Sequence, residues 1–151
     1  MCFEDDQESK PEPFTDCQSF KEFKRKHILP TSFRTKKGDL GVWGKYLLKN
    51  KLCGRIEMQS FIKSSEENIK QICNGSGSVS GNYTKSKDLF EVYLVKSSEG
   101  INPKCIVTSC TLGNYYVIVK CENKKPVHYE SCVKILILII HLKILLYHTD
   151  V

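Results

Sequence analysis

Two of the four histidines in this sequence stand in company that suggests chemistry. His27 follows Phe23-Lys24-Arg25-Lys26, and His128 follows Pro126-Val127 near the other end of the chain. An imidazole titrates at about 6.5, so it can be neutral in one setting and charged in another near physiological pH. A pair of imidazoles can then divide the duties of base and acid in one reaction, which a single group cannot perform at once. Taken singly, each histidine reads more simply as a satisfied, half-buried structural residue.

The elements that must position them follow from pattern. Ser19 followed by Glu22 has capping-box spacing, and Phe20, Phe23 and His27 then share one helical face, which Pro30 ends. Residues 40–50 suggest a second short helix with Trp43 and Leu47 on one face, although Gly41 and Gly44 weaken it. Ser64 and Glu67 repeat the capping-box spacing, and Ile69, Ile72 and Cys73 line a third helix that Asn74 and Gly75 stop. Residues 74–80 read as a Gly/Ser loop. Residues 90–95, 105–109, 115–121 and 127–130 are rich in β-branched and aromatic residues and read as short antiparallel strands, with 56–62 as one more. Helices first and strands afterwards predict an α+β domain, three short helices packed on a curved antiparallel sheet.

Charge is uneven along the 151 residues, a length suited to one domain. Residues 1–16 hold six acids against one lysine and carry −5, so the remainder carries +11 of the total +6. The first stretch has too few apolar residues to pack and reads as a disordered acidic leader. Residues 17–132 then form the folded domain, a cation that attracts phosphate polyanions through counterion release and anionic surfaces by its field. Residues 133–151 form an apolar tail, with six consecutive apolar residues at 135–140 interrupted by Lys134, His141 and Lys143. A membrane-spanning helix needs about 20 apolar residues, so the tail reads as a docked or non-native extension rather than an anchor.

Eight cysteines, at positions 2, 17, 53, 73, 105, 110, 121 and 132, contain no Cys-x-x-Cys unit. They argue for disulfides in an oxidising compartment, with neither a metal nor a cofactor expected. Asn74-Gly75-Ser76 and Asn82-Tyr83-Thr84 are sequons compatible with secretion. The start, Met1-Cys2-Phe3-Glu4-Asp5-Asp6, is acidic where a signal peptide is basic and then apolar, so export is expected without a visible signal.

The segments Phe23-Lys24-Arg25-Lys26-His27-Ile28 and Cys121-Glu122-Asn123-Lys124-Lys125-Pro126-Val127-His128-Tyr129 resemble two signatures of the vertebrate secreted ribonuclease superfamily, the pancreatic-type and angiogenin-like proteins. Segment 53–73, with Gln59-Ser60-Phe61-Ile62 and the helix after it, resembles a third. The resemblance covers roughly residues 18–132 and is nearest to amphibian and other non-mammalian members. It implies a secreted, monomeric endoribonuclease that cleaves single-stranded RNA 3′ of pyrimidines through a 2′,3′-cyclic phosphate. His27 would be the base that takes the 2′-hydroxyl proton, and His128 the acid that protonates the leaving 5′-oxygen. Glu130 holds the place of the acidic residue that orients the second histidine, and Tyr129 replaces a phenylalanine. Ser60 replaces the threonine that reads a pyrimidine and keeps a hydroxyl donor and acceptor. Lys26 and Gln59 fall among the substrate-binding positions.

The chain departs from that family at its cation, a lysine directly after the second framework cysteine. Cys53-Gly54-Arg55-Ile56-Glu57-Met58-Gln59-Ser60-Phe61 is longer than the pattern, so the lysine position falls on Gly54 or on Ile56, depending on the end from which it is counted. Arg55, between them, is the expected substitute on the phosphoryl oxygens, with a different geometry and reduced activity. The family framework implies disulfides Cys53–Cys105 and Cys73–Cys121. Its third bridge would join the surroundings of Trp43 to those of Leu94 and Val95, where both cysteines are missing. A substitute bridge from Cys110 to Cys132 is expected to pin the strand bearing His128, and Cys2 and Cys17 have no family counterpart. The rival reading is a catalytically weak cationic protein that binds RNA or anionic cell and microbial membranes, in host defence or in an angiogenin-like role. The absent signal peptide, the lost bridge and the apolar tail also fit a defective gene product.

Overall fold

The computed structural model describes residues 2–3, 19–98 and 105–134. After a two-residue strand β1 (Cys2–Phe3), the chain forms helices α1 (Phe20–His27) and α2 (Leu40–Lys49), strand β2 (Met58–Lys63) and helix α3 (Glu66–Lys70), which a 3-10 turn over Gln71–Cys73 continues. Strands β3 (Ser78–Ser80), β4 (Tyr83–Lys85), β5 (Phe90–Ser97), β6 (Val107–Glu122) and β7 (Lys125–Lys134) complete an α+β fold.

All the strands join one antiparallel sheet with β6 as its spine. One edge of β6 holds β7. The other edge is shared, its first half pairing with β5 and Ile118 and Val119 pairing with β4. The sheet therefore divides into two wings, β2-β5 and β3-β4, beside the β6-β7 ribbon. Strand β2 is buried on both faces, and successive side chains of a strand point to opposite faces. Thus Phe61 joins Leu29, Trp43, Leu47, Tyr93 and Val95 in one apolar cluster, while Ile62 joins Phe23, Ile69, Val117 and Tyr129 in the other.

Several expectations are corrected. The cap of α3 is Ser65, whose Oγ accepts from the Asn68 N–H at 3.1 Å, rather than Ser64. Extended backbone at Ser65 aims its hydroxyl at the open N–H groups, as an N-cap requires. The expected strands 105–109 and 115–121 are replaced by one strand of 16 residues that begins at Val107, because pairing with β5 carries the chain through Gly113 and Asn114. Gly113 leaves room that a side chain would take, since a Cβ there would lie 3.0 Å from the Tyr115 ring. The expected loop at 74–80 gives way to β3, which forms a hairpin with β4.

Disulfides join Cys53 to Cys105 and Cys73 to Cys121. The expected Cys110–Cys132 bridge is absent: Cys110 is a free, partly buried thiol, and Cys132 is disulfide-bonded to another cysteine. The register gives the reason. Cys110 lies opposite Val95, whereas Cys132 lies opposite Val117. At about 3.3 Å per residue, those places on β6 are some 23 Å apart, far beyond the roughly 7 Å that a disulfide can span between Cα atoms. Trp43 and Val95 are both fully buried in the same apolar cluster.

Cys2 and Phe3 of the expected leader take part in the sheet, opposite Cys132 and Ser131 of β7. The rest of the leader, residues 1 and 4–18, lies outside the described residues, as does the tail beyond Lys134. Among the described residues no helix is long and apolar enough to cross a membrane.

Candidate active site

Helix α1 delivers His27. The Ser19 Oγ accepts from the Glu22 N–H at 3.1 Å, which starts the helix, and Phe23 and His27 form its buried face. Arg25 binds Glu22 through Nε and Nη2, while its Nη1 donates to the Asn50 carbonyl at 2.9 Å and so ties α1 to the end of α2. After His27 the chain straightens at once: Ile28 bridges Ile62 in parallel, and the Leu29 N–H donates to the Ile62 carbonyl at 3.1 Å. His27 is thereby pressed against β2, 2% exposed, with Nδ1 at 3.0 Å from the Ser60 carbonyl. A carbonyl only accepts, so Nδ1 carries the proton and Nε2 is the basic nitrogen.

Burial and, next, the positive charge of Arg55 hold the His27 pKa well below 6.5, with Lys26 and His128 adding to the effect and the Ser60 carbonyl opposing it. The ring is therefore neutral at physiological pH, the state a general base requires.

Strand β7 delivers the other half. Its two-residue hairpin from β6 places Asn123 and Lys124 at φ 54° and 63°, the left-handed pair of a type I′ turn that matches the twist of the strands. The β6-β7 register slips beside Val119 and again beside Lys120, leaving Glu130 and Val127 as extra residues around His128 and Tyr129. Such bulges bend a strand and re-aim its side chains. Here they let Tyr129 stack on His27, with centroids 4.7 Å apart. The His128 Nε2–H donates to Glu130 Oε1 at 3.2 Å, because a carboxylate only accepts; the bond orients the ring and leaves Nδ1 as the nitrogen for proton exchange with a ligand.

The lengthened segment before β2 turns back on itself. The Arg55 N–H donates to the Leu52 carbonyl at 3.3 Å, with Gly54 at φ 74° inside the turn, a position that glycine adopts without the Cβ penalty. Arg55 is half-buried, and its Nε donates to Gln59 Oε1 at 3.2 Å, while Gln59 Nε2 donates to the Leu52 carbonyl at 2.8 Å. The Nε bond holds the Arg55 guanidinium against the buried Gln59, next to Ser60, and that positive charge lowers the His27 pKa. Ser60 and Tyr129 are fully buried, Lys26 is half-exposed, and the Glu130 side chain is 41% exposed.

The fold thus links His27 to Ser60 and Tyr129, Arg55 to Gln59, and His128 to Glu130 around one region of the sheet, with Lys26 beside His27 at the end of α1. One cation escaped sequence reading: Lys120 of β6 lies opposite His128 in the register. Directly opposed residues share a face, but no local motif around Lys120 announces that pairing. Among the described residues no group of His, Cys, Asp and Glu is arranged to hold a metal ion.

No protein-family model matches the sequence. The chain is 32% identical to angiogenin of Saguinus oedipus over 118 residues, which span 76% of this chain and 78% of that protein. It is 29% identical to the pancreatic ribonuclease of Iguana iguana over 72 residues, 47% of this chain and 60% of that one. Among solved structures it superposes on zebrafish RNase5 with a TM-score of 0.64 at 23% identity, covering 80% of this chain and 98% of that one. Green turtle egg white ribonuclease gives a TM-score of 0.64 at 21% identity, covering 76% and 98%. These structural likenesses establish the shared fold, and the angiogenin match, over three quarters of both chains, establishes the kinship: this chain belongs to the vertebrate pancreatic-type ribonuclease superfamily.

Proposed function

We propose that the chain is a secreted, monomeric endoribonuclease in which His27 and His128 divide the proton transfers of RNA cleavage. His27 Nε2 takes the proton of the ribose 2′-hydroxyl, the 2′-oxygen attacks phosphorus, and the bond to the 5′-oxygen breaks as that oxygen receives a proton from His128 Nδ1. The products are a 2′,3′-cyclic phosphate and a 5′-hydroxyl. The Arg55 guanidinium stabilises the charge that develops on the phosphoryl oxygens. Its fork differs from a lysine point charge, and losing one well-placed donor costs about 100- to 1,000-fold in rate, so turnover is expected below that of a lysine-bearing relative. Ser60 would favour pyrimidines, with Gln59 and Lys26 nearby for the substrate. The observation that carries this reading is the half-buried Arg55 bonded to the buried Gln59, the residue next to Ser60, whose carbonyl holds His27 Nδ1.

The 2% exposure of His27 favours a second reading, a cationic binder of RNA and anionic cell surfaces without turnover. The folded protein offered cytidylyl- and uridylyl-adenosine decides between them. Release of a 2′,3′-cyclic phosphate that is lost in both His27→Ala and His128→Ala supports the enzyme. Salt-dependent RNA binding with no cyclic product supports the binder.

A further inference from the structure

Strand β3 ends the sheet path, beyond β4, and its outer edge has no partner among the described residues. All three of its residues are exposed, and Val79 at its centre is 75% exposed, the most exposed large hydrophobic among the described residues. Open N–H and C=O groups around an apolar side chain form a template for another strand, which proteins usually blunt with charge, proline or a cover. No charged residue or proline stands in β3 or in its turn. Instead, the two sequons bracket it. Asn74 caps the 3-10 turn before β3, and Asn82 follows Gly81, φ 61°, in the turn to β4. Both asparagines are exposed.

We propose that Asn74 and Asn82 carry N-linked glycans and that these shield the β3 edge from pairing with a second copy of the chain. This rests on the reading that the chain enters the secretory route. There the donor is a lipid diphosphate-linked oligosaccharide. The asparagine amide nitrogen forms a bond to the anomeric carbon, the bond from that carbon to the diphosphate oxygen breaks, and the amide proton passes to a transferase base. Each sequon supplies its hydroxyl two residues on, in Ser76 and Thr84, with Gly75 and Tyr83 between. Thr84 is buried in the folded sheet, where β4 pairs with β6, so the transfer would act on the chain before that pairing forms. The sheet order puts β3 three strand spacings from β7, about 14 Å.

The test uses the full chain behind a cleavable secretory signal in mammalian cells, with peptides mapped after peptide N-glycosidase F, which leaves aspartate where a glycan stood. Conversion at both Asn74 and Asn82 is expected. Unmodified asparagines in molecules that have formed the Cys53–Cys105 disulfide would overturn the proposal, because that bond reports passage through an oxidising compartment. If the chain without an added signal stays inside the cell with free thiols while the signal-bearing chain is glycosylated, the export reading fails and the sites stand. The Asn74→Gln/Asn82→Gln double variant is expected to elute as oligomers at a concentration where the glycosylated protein is monomeric, and adding Val79→Lys should restore the monomer. A double variant that remains monomeric overturns the shielding role.

Discussion

The Tyr129 ring lies nearly parallel to the His27 imidazole, 19° apart in plane and 4.7 Å between centroids. Tyr129 is the chain neighbour of His128, so this stack fixes how the strand bearing one imidazole sits on the helix bearing the other. It also supplies part of the burial that lowers the His27 pKa. Aromatic pairs contribute about 0.5–1.5 kcal/mol beyond their buried area.

Tyr129→Leu is therefore expected to lower stability by about 1–3 kcal/mol, through the lost stack and the poorer fit of an aliphatic chain. Turnover should fall further than RNA binding, because His27 loses its packing while the surface cations remain. Urea denaturation and a kcat-against-KM comparison read the two effects, and equal turnover in a folded variant would remove Tyr129 from any positioning role.

Arg55 acts on the reaction and on the base together. Arg55→Ala should cost about 100- to 1,000-fold in kcat and let the His27 pKa rise toward 6.5, since Arg55 is the largest charge influence depressing it. The acid limb of the kcat/KM profile then moves to higher pH, whereas Arg55→Lys should restore most of the original position. Unchanged turnover in the alanine variant would show that another group neutralises the phosphoryl charge.

The same depressed pKa couples stability to pH. The unfolded chain has a histidine of ordinary pKa, about 6.5, while folded His27 protonates only well below that value. Between the two values the unfolded state binds more protons, so stability rises with pH through that window. His27 thus favours the fold fully above pH 6.5, and its contribution is lost progressively as pH falls toward the folded pKa. Thermal melts from pH 7 to pH 4 should show a steeper loss in the native protein than in His27→Gln, which lacks this titration.

The β6-β7 turn holds Lys124 at φ 63°, a left-handed conformation that costs an L-residue with a Cβ about 1–2 kcal/mol. Asn-Gly is the favoured pair for a type I′ turn. Lys124→Gly should accordingly stabilise the fold by about 1 kcal/mol and raise Tm by a few degrees, with turnover little changed. A lower Tm would mean that the Lys124 side chain supports the hairpin in a way its backbone does not reveal.

Local chemistry made part of this protein readable without coordinates. The capped start of α1, its Phe23-His27 face and the Trp43-Leu47 face of α2 depend on spacing within a few residues, and spacing survives in a linear string. The surroundings of His27 and His128 carried the family likeness for the same reason. Other features depend on what faces what. Ser64 and Ser65 are equal candidates as letters, and only backbone direction chose Ser65. Residues 105–109 and 115–121 read as separate strands, yet β5 pairing runs one strand straight through Gly113 and Asn114 between them. The Cys110–Cys132 bridge failed because the register sets those residues far apart along β6. Arg55 lay in the sequence without a direction, and the turn at Gly54 with the Gln59 hydrogen bond aimed it inward. The full burial of His27 likewise exceeds its local motif: Phe23 supplies a neighbour along α1, but the Ser60 backbone and the Tyr129 ring reach it only when the sheet closes against the helix.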